Sequence, residues 1–138
     1  MRLVIFAGGA GRRLWPISRQ ISPKQFEPIV GEESTLQLAV DRVAPRYGFD
    51  NIFVATNDRY VEIVRRQLPD LSADNIYAEP ARRDLGPAVG LARAHIARYD
   101  EEEPVAILWT ANYIENGPGF LEAMGKAETQ GRRGGAET

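Results

Sequence analysis

The chain has 138 residues, with 17 Lys+Arg against 19 Asp+Glu and a formal charge of −2. Hydrophobic residues at 43% and charged ones at 26% match an ordinary globular domain and exclude a collagen-like, low-complexity or broadly disordered chain. The lack of cysteine excludes a disulfide scaffold, a thiolate metal site and a Cys nucleophile, and a single histidine, His95, excludes a His-rich metal site.

At this length one domain is expected, burying roughly two-thirds of its unfolded surface. No apolar run reaches the ~20 residues that cross a bilayer. The N-terminus is too short and too glycine-rich for a secretory segment. A soluble, cytoplasmic domain without a membrane partner is therefore expected.

Leu3-Val4-Ile5-Phe6-Ala7 is a continuous apolar run that stops at Gly8-Gly9, the pattern of a strand buried on both faces. Residues 8–33 have no periodicity and contain Pro16, Pro23, Pro28 and Gly31, so a long loop is expected, a length usually reserved for function. Ser34-Thr35 then caps a helix through Arg46 with Leu36, Ala39, Val40 and Val43 on one face. A second strand reads Ile52–Thr56, and Asn57 or Asp58 opens a helix carrying Tyr60, Val61, Ile63, Val64 and Leu68 that Pro69 ends.

Asn75–Glu79 is a weaker, edge-like strand. A helix follows around Pro87 with Val89, Leu91, Ala92 and Ile96 inward, Val105–Trp109 is the fourth strand, and Phe120–Thr129 the last helix. The Gly-rich stretch from Gly131 to Thr138 is expected to be a disordered tail after a domain of residues 1–130. Four β/α repeats predict an α/β fold: a doubly wound, mostly parallel sheet with right-handed crossovers and helices on both faces. In such sheets ligands bind beyond the carboxyl ends of the strands, here Gly8-Gly9, Thr56-Asn57, Glu79-Pro80 and Thr110-Ala111-Asn112.

The charge is unevenly spread. Residues 1–26 carry Arg2, Arg12, Arg13, Arg19 and Lys24 and no acid, so the remainder sums to −7. Such a segment reads either as a local anion site or as a solvated basic turn. Gly8-Gly9-Ala10-Gly11-Arg12-Arg13 leaves the first strand directly. Glycines let consecutive N–H groups turn toward phosphate oxygens, and arginines add charge-assisted bonds to the same anion; a plain strand-to-loop turn is the alternative. No Gly-Lys-Ser/Thr follows, so this is not a Walker A loop, and Leu14 stands at the third glycine of the dinucleotide fingerprint.

Extended through Leu14-Trp15-Pro16-Ile17-Ser18-Arg19 and joined to Pro23-Lys24-Gln25-Phe26, this segment resembles the signature of the sugar-1-phosphate nucleotidylyltransferases. It is most similar to their mannose-1-phosphate guanylyltransferase branch. Ser34-Thr35-Leu36-Gln37 and Glu79-Pro80-x-x-Arg83 sit where that family has similar segments, and the resemblance runs from residue 1 to about residue 124.

The resemblance implies a Rossmann-like nucleotide-diphospho-sugar transferase fold, GTP and mannose 1-phosphate as substrates, and Mg²⁺ as cofactor. It implies that Gly8, Gly9, Ala10 and Gly11, with Arg12, hold the triphosphate, while Arg13 and Lys24 neutralise charge during phosphoryl transfer. Glu79 and Asp84 become candidates for reading guanine, whose N1–H and exocyclic amine suit a carboxylate; Asp84 alternatively caps the following helix. His95, on a helix's apolar side, reads as a packing or surface residue.

Two departures stand out. Where the family carries the metal-holding Asp after the fourth strand, this chain has Ala111, followed by Asn112 in place of His, so the Mg²⁺ site is expected to be weakened or lost. Family members also continue into a sugar-binding half, so a truncated, catalytically incomplete chain is expected. Its partners would be a second copy or a full-length enzyme. A non-catalytic nucleotide-binding module is the alternative, and the acidic remainder with a pI near 5.5 argues against nucleic acid.

Overall fold

The computed structural model describes residues 1–7, 26, 28–30, 33–79, 85–98, 103–110 and 116–133, with the backbone alone for 28–30, 79 and 85–88. Four strands form one parallel sheet: β1 (Arg2–Ala7), β4 (Ile52–Asn57), β5 (Ile76–Glu79) and β6 (Val105–Trp109). Two short strands, β2 (Pro28–Val30) and β3 (Glu33–Ser34), pair antiparallel with a register shift between Pro28 and Val30. The helices are α1 (Thr35–Tyr47), α2 (Val61–Gln67), α3 (Leu85–Ala97) and α4 (Gly117–Arg132).

The sheet runs in the order β5-β4-β1-β6. The chain therefore steps outward from β1 to β4 and β5, then crosses back to place β6 on the far side of β1. Side-chain alternation divides the core accordingly. Leu3, Ile5 and Ala7 of β1 and Ile52 and Val54 of β4 face one cluster with Leu36, Val40 and Val43 of α1, Val64 of α2 and Met124 of α4. Val4, Phe53, Ala55 and Tyr77 face the other, closed by Ala92 and Ile96 of α3. Helices on both faces of an all-parallel sheet make the doubly wound arrangement expected from the β/α alternation.

Local chemistry explains the element ends. Ser34 caps α1 through a capping box: its Oγ accepts from Gln37 N at 3.2 Å, and its own N–H donates to Gln37 Oε1 at 2.9 Å. The four α1 residues assigned inward are all buried. Gly48 ends α1 at φ +77 and ψ 153, a conformation nearly closed to residues with a Cβ. Asn57 accepts from Arg59 N, opening a 3₁₀ turn at Asp58–Tyr60 that leads into α2. Asn75, just before β5, donates to the carbonyls of Phe49 and Ile52 and ties that turn to the start of β4.

Three differences from the sequence reading have physical causes. Within the span read as uninterrupted loop, Pro28–Val30 and Glu33 belong to the β2–β3 pair; Pro28 sits at the first strand position, where its missing N–H costs no ladder bond. Leu91, read as inward, is 37% exposed. The buried stripe follows the helical spacing of Ala92 and Ile96, and position 91 lies about 100° away from it. The last helix starts three residues earlier and ends three later than expected. Asn116 Oδ1 accepts from Gly119 N at 2.9 Å, Pro118 occupies the first turn, and Gly131 and Arg132, read as tail, are helical. Residues 134–138 lie outside the described residues.

Candidate functional site

All four parallel strands end on one edge of the sheet, at Ala7, Asn57, Glu79 and Trp109. β1 lies between β4 and β6, so the segment that begins at Gly8 leaves from the middle of that edge. β1 connects to β4 through α1 on one face, whereas β6 is reached through α3 on the other, which makes the β1–β6 boundary the topological switch point. Crevices at such points are where doubly wound sheets take their ligands, because the two chain segments diverge to opposite faces there.

The described residues on this edge are few and well fixed. Thr56, 3% exposed, donates its hydroxyl to the Ala7 carbonyl at 2.6 Å, closing the C-terminal end of β1 against β4. Glu79 pairs in register with Asn57, which puts it two strand spacings, about 10 Å, to one side of β1. Thr110 is buried just past β6, immediately before position 111. Phe26 is buried, its ring centroid 5.5 Å from that of Tyr60, and its carbonyl accepts from Gln67 Nε2 at 2.9 Å.

Of the residues singled out in the sequence, Gly8, Gly9, Ala10, Gly11, Arg12, Arg13, Lys24, Asp84, Ala111 and Asn112 lie outside the described residues. Glu79 is described by its backbone. Chain connectivity still fixes where their elements depart: Gly8 directly follows Ala7, Lys24 precedes Phe26 by two residues, and Ala111 follows Thr110.

The structure refines two other readings. Arg2 belongs to the basic N-terminal segment by sequence, yet it starts β1 at the opposite edge, about 16 Å of strand from Ala7. Its guanidinium carbon lies 5.9 Å from the centroid of Phe53. Arg2 therefore adds no positive charge at the carboxyl ends of the strands. His95 packs under α3, stacked on Tyr77 at 4.9 Å and edge-on to Phe53 at 6.3 Å, a packing residue as one of its two readings held.

The carboxylates with displaced pKa values also lie away from the site. Glu103, before β6, and Glu128 of α4 both accept from the Met1 ammonium and from Arg132. The ammonium hydrogen bond, helped by Arg132, holds both below the usual glutamate range, although burial opposes the shift. This network clamps α4 to the N-terminal edge. Among the described residues no three His, Cys, Asp or Glu side chains converge where they could hold a metal ion. No described helix is long and apolar enough to cross a membrane.

Gln67 is the residue that sequence reasoning passed over, and the bond from Thr56, already placed at a strand end, to the Ala7 carbonyl was likewise unforeseen. The capping box at Ser34 and Gln37 was visible as spacing. Nothing in the sequence signalled that Gln67 would reach Phe26, 41 positions away.

The parallel sheet with helices on both faces defines a Rossmann-type α/β protein. Residues 2–138 match the family model for nucleotidyl transferases, and the chain belongs to that family. It is 35% identical over 127 residues to the mannose-1-phosphate guanylyltransferase of Klebsiella pneumoniae, covering 91% of this chain and 27% of that protein. It is 37% identical to the corresponding protein of Salmonella muenchen over 94% of this chain and 28% of that one. The chain thus spans just over a quarter of the length of these relatives. A solved structure from Thermus thermophilus, described as a mannose-1-phosphate geranyltransferase, superposes with a TM-score of 0.80 at 27% identity over 91% of this chain and 36% of that one.

Proposed function

We propose that this chain forms the nucleotide-holding part of a mannose-1-phosphate guanylyltransferase, with GTP and mannose 1-phosphate as substrates and GDP-mannose and diphosphate as products. The observation that carries the reading is the central position of β1, whose carboxyl end runs straight into Gly8-Gly9-Ala10-Gly11-Arg12-Arg13 at the switch point of the sheet. The similarity to proteins of that activity supports it.

In the reaction, an oxygen of the sugar 1-phosphate attacks the α-phosphorus of GTP. The bond from that phosphorus to its bridging oxygen breaks, and pyrophosphate leaves in line. Such transfer asks the protein for positioning and charge neutralisation rather than a covalent nucleophile, which suits a chain without cysteine. Backbone N–H groups of Gly8 to Gly11, with Arg12, hold the triphosphate. Arg13 and Lys24 neutralise the α-phosphate and the leaving pyrophosphate. Glu79, or Asp84, accepts from guanine.

The family's cofactor, Mg²⁺, supplies charge neutralisation on the phosphates when bound. Here the corresponding position holds Ala111, which has no ligand atom, and the Asn112 amide oxygen is a poorer ligand than a carboxylate. These 138 residues by themselves therefore bind the nucleotide without completing the reaction. A non-catalytic nucleotide-binding module acting beside a full-length enzyme is the second reading, favoured by Ala111.

A calorimetric titration with GTP, ATP and dTTP, with and without Mg²⁺, tests the binding: GTP is expected to bind most tightly, and no binding at millimolar nucleotide refutes the reading. GDP-mannose formation by these residues alone would overturn the claim of incompleteness. Ala111→Asp is expected to strengthen Mg²⁺-dependent GTP binding.

A further inference from the structure

The span between Ala7 and Phe26 carries every basic residue assigned to the triphosphate, and the carbonyls at its two ends are held by side chains of a single β/α unit. Thr56 of β4 takes the Ala7 carbonyl at 2.6 Å in a buried bond. Gln67, the last residue of α2, takes the Phe26 carbonyl at 2.9 Å. Neither bond belongs to the sheet ladder or to a helix, so neither is required to form those elements.

The Gln67 amide has one orientation open to it. The Phe26 carbonyl can only accept, so the Gln67 NH₂ must face it, and the Ser34 hydroxyl, which accepts from Gln37 N, donates to Gln67 Oε1 at 2.6 Å. That commits the oxygen of the amide to Ser34 and leaves its NH₂ for Phe26. Gln37 Nε2 in turn donates to the Gln67 carbonyl at 3.1 Å, fixing the backbone from which the side chain projects. The Phe26 ring, buried against Tyr60, adds an apolar anchor on the same unit.

We infer that Thr56 and Gln67 are positioning residues for the phosphate-binding span: they fix its entry and exit on β4 and α2, and thereby the backbone origins of Gly8 and Lys24. Gly8 is one residue beyond Ala7, and the Cα of Lys24 lies within about 7 Å of that of Phe26 by chain length alone. Neither residue need touch the nucleotide. The inference rests on the GTP-binding reading above for its purpose, although not for its geometry.

Four variants of the 138-residue chain test it by GTP calorimetry and by the rate of trypsin cleavage at Arg12, Arg13, Arg19 and Lys24 without nucleotide. Thr56→Val and Gln67→Met remove the two donors with little change of shape. Thr56→Ser keeps the hydroxyl, and Val43→Ala destabilises α1 away from both anchors. Thr56→Val and Gln67→Met are expected to weaken GTP 3- to 10-fold and to speed cleavage within the span about 5-fold. Thr56→Ser should return both readouts to within 2-fold of the parent chain. Val43→Ala, compared where it is fully folded, should leave both unchanged.

Parental GTP affinity and cleavage in Thr56→Val and Gln67→Met would overturn the positioning role while leaving GTP binding intact. An equal effect from Val43→Ala would also overturn it, as would failure of Thr56→Ser to rescue, since loss of stability would then explain the result. If the parent chain binds no GTP, the functional reading falls, and the cleavage rates alone decide whether the two donors hold the span.

Discussion

Replacing Ser34 with alanine removes one hydroxyl that serves two partners, and the cost can be assembled from the bonds it makes. Ser34 is 1% exposed; its Oγ accepts from Gln37 N at 3.2 Å and donates to Gln67 Oε1 at 2.6 Å. Losing an N-cap acceptor costs about 1 kcal/mol. Leaving the half-buried Gln67 oxygen without its donor adds about 1 kcal/mol, the lower part of the range for a stranded polar group because Gln67 is not fully enclosed. The Ser34 N–H bond to Gln37 Oε1 uses backbone and survives.

Ser34→Ala should therefore lose about 2 kcal/mol, which at this chain length lowers Tm by roughly 8 °C. Urea unfolding at pH 7 reads the loss as a shift in midpoint at unchanged slope. A double-mutant cycle with Gln67→Met isolates the second contribution and should return a coupling of about 1 kcal/mol. A loss below about 0.5 kcal/mol would refute the cap, and additivity of the two substitutions would refute the Ser34–Gln67 link.

Other substitutions test the core, the helix ends and the N-terminal clamp. Phe53, 1% exposed near the start of β4, should cost about 3–5 kcal/mol on conversion to alanine, read by urea unfolding. Gly90 is exposed in α3 and a Cβ there meets nothing within 4 Å, so Gly90→Ala should gain about 0.5–1 kcal/mol in helix propensity. The same change at Gly48, held at φ +77, should cost about 1–3 kcal/mol; equal effects at the two glycines would show that backbone conformation is not the cause.

Glu103 and Glu128 are held below their ordinary values by the Met1 ammonium and Arg132. A carboxylate depressed in the folded state stabilises above its unfolded pKa of about 4.3, and that stability is lost as pH falls through the folded values. Denaturant unfolding from pH 7 to pH 3 should thus decline more steeply for the parent than for Glu103→Gln/Glu128→Gln. Parallel curves would refute the clamp.

The motifs that name the family were legible because they are local: Gly8 to Arg19 and Pro23 to Phe26 are contiguous stretches whose chemistry depends on residue order. The four strands of the parallel sheet were equally legible, since a run such as Val105–Trp109 or Ile52–Thr56 declares its period without reference to the rest of the chain, whereas the short β2–β3 pair carries no such run. The α1 cap could be read from Ser34 and Gln37 for the same reason. Less local features were misjudged in small ways. Leu91 carries an apolar side chain that its helical phase turns outward, and the helix beyond Thr129 is held by Arg132 reaching Glu103, 29 residues back.

The amino-acid sequence by itself determined the alternation of strands and helices, the glycine-rich exit from β1 and the basic segment that follows it, because propensity, periodicity and turn chemistry act over a few neighbouring residues. Tertiary structure decided which strand lies at the centre, that Arg2 starts at the edge opposite the exit to Gly8, and that Thr56 and Gln67 hold the carbonyls of Ala7 and Phe26. Those outcomes depend on pairs 41, 49 and 102 positions apart. Such pairs form only after two layers of helix have closed on the sheet and brought carbonyls and ammonium groups out of water, where each must find a partner.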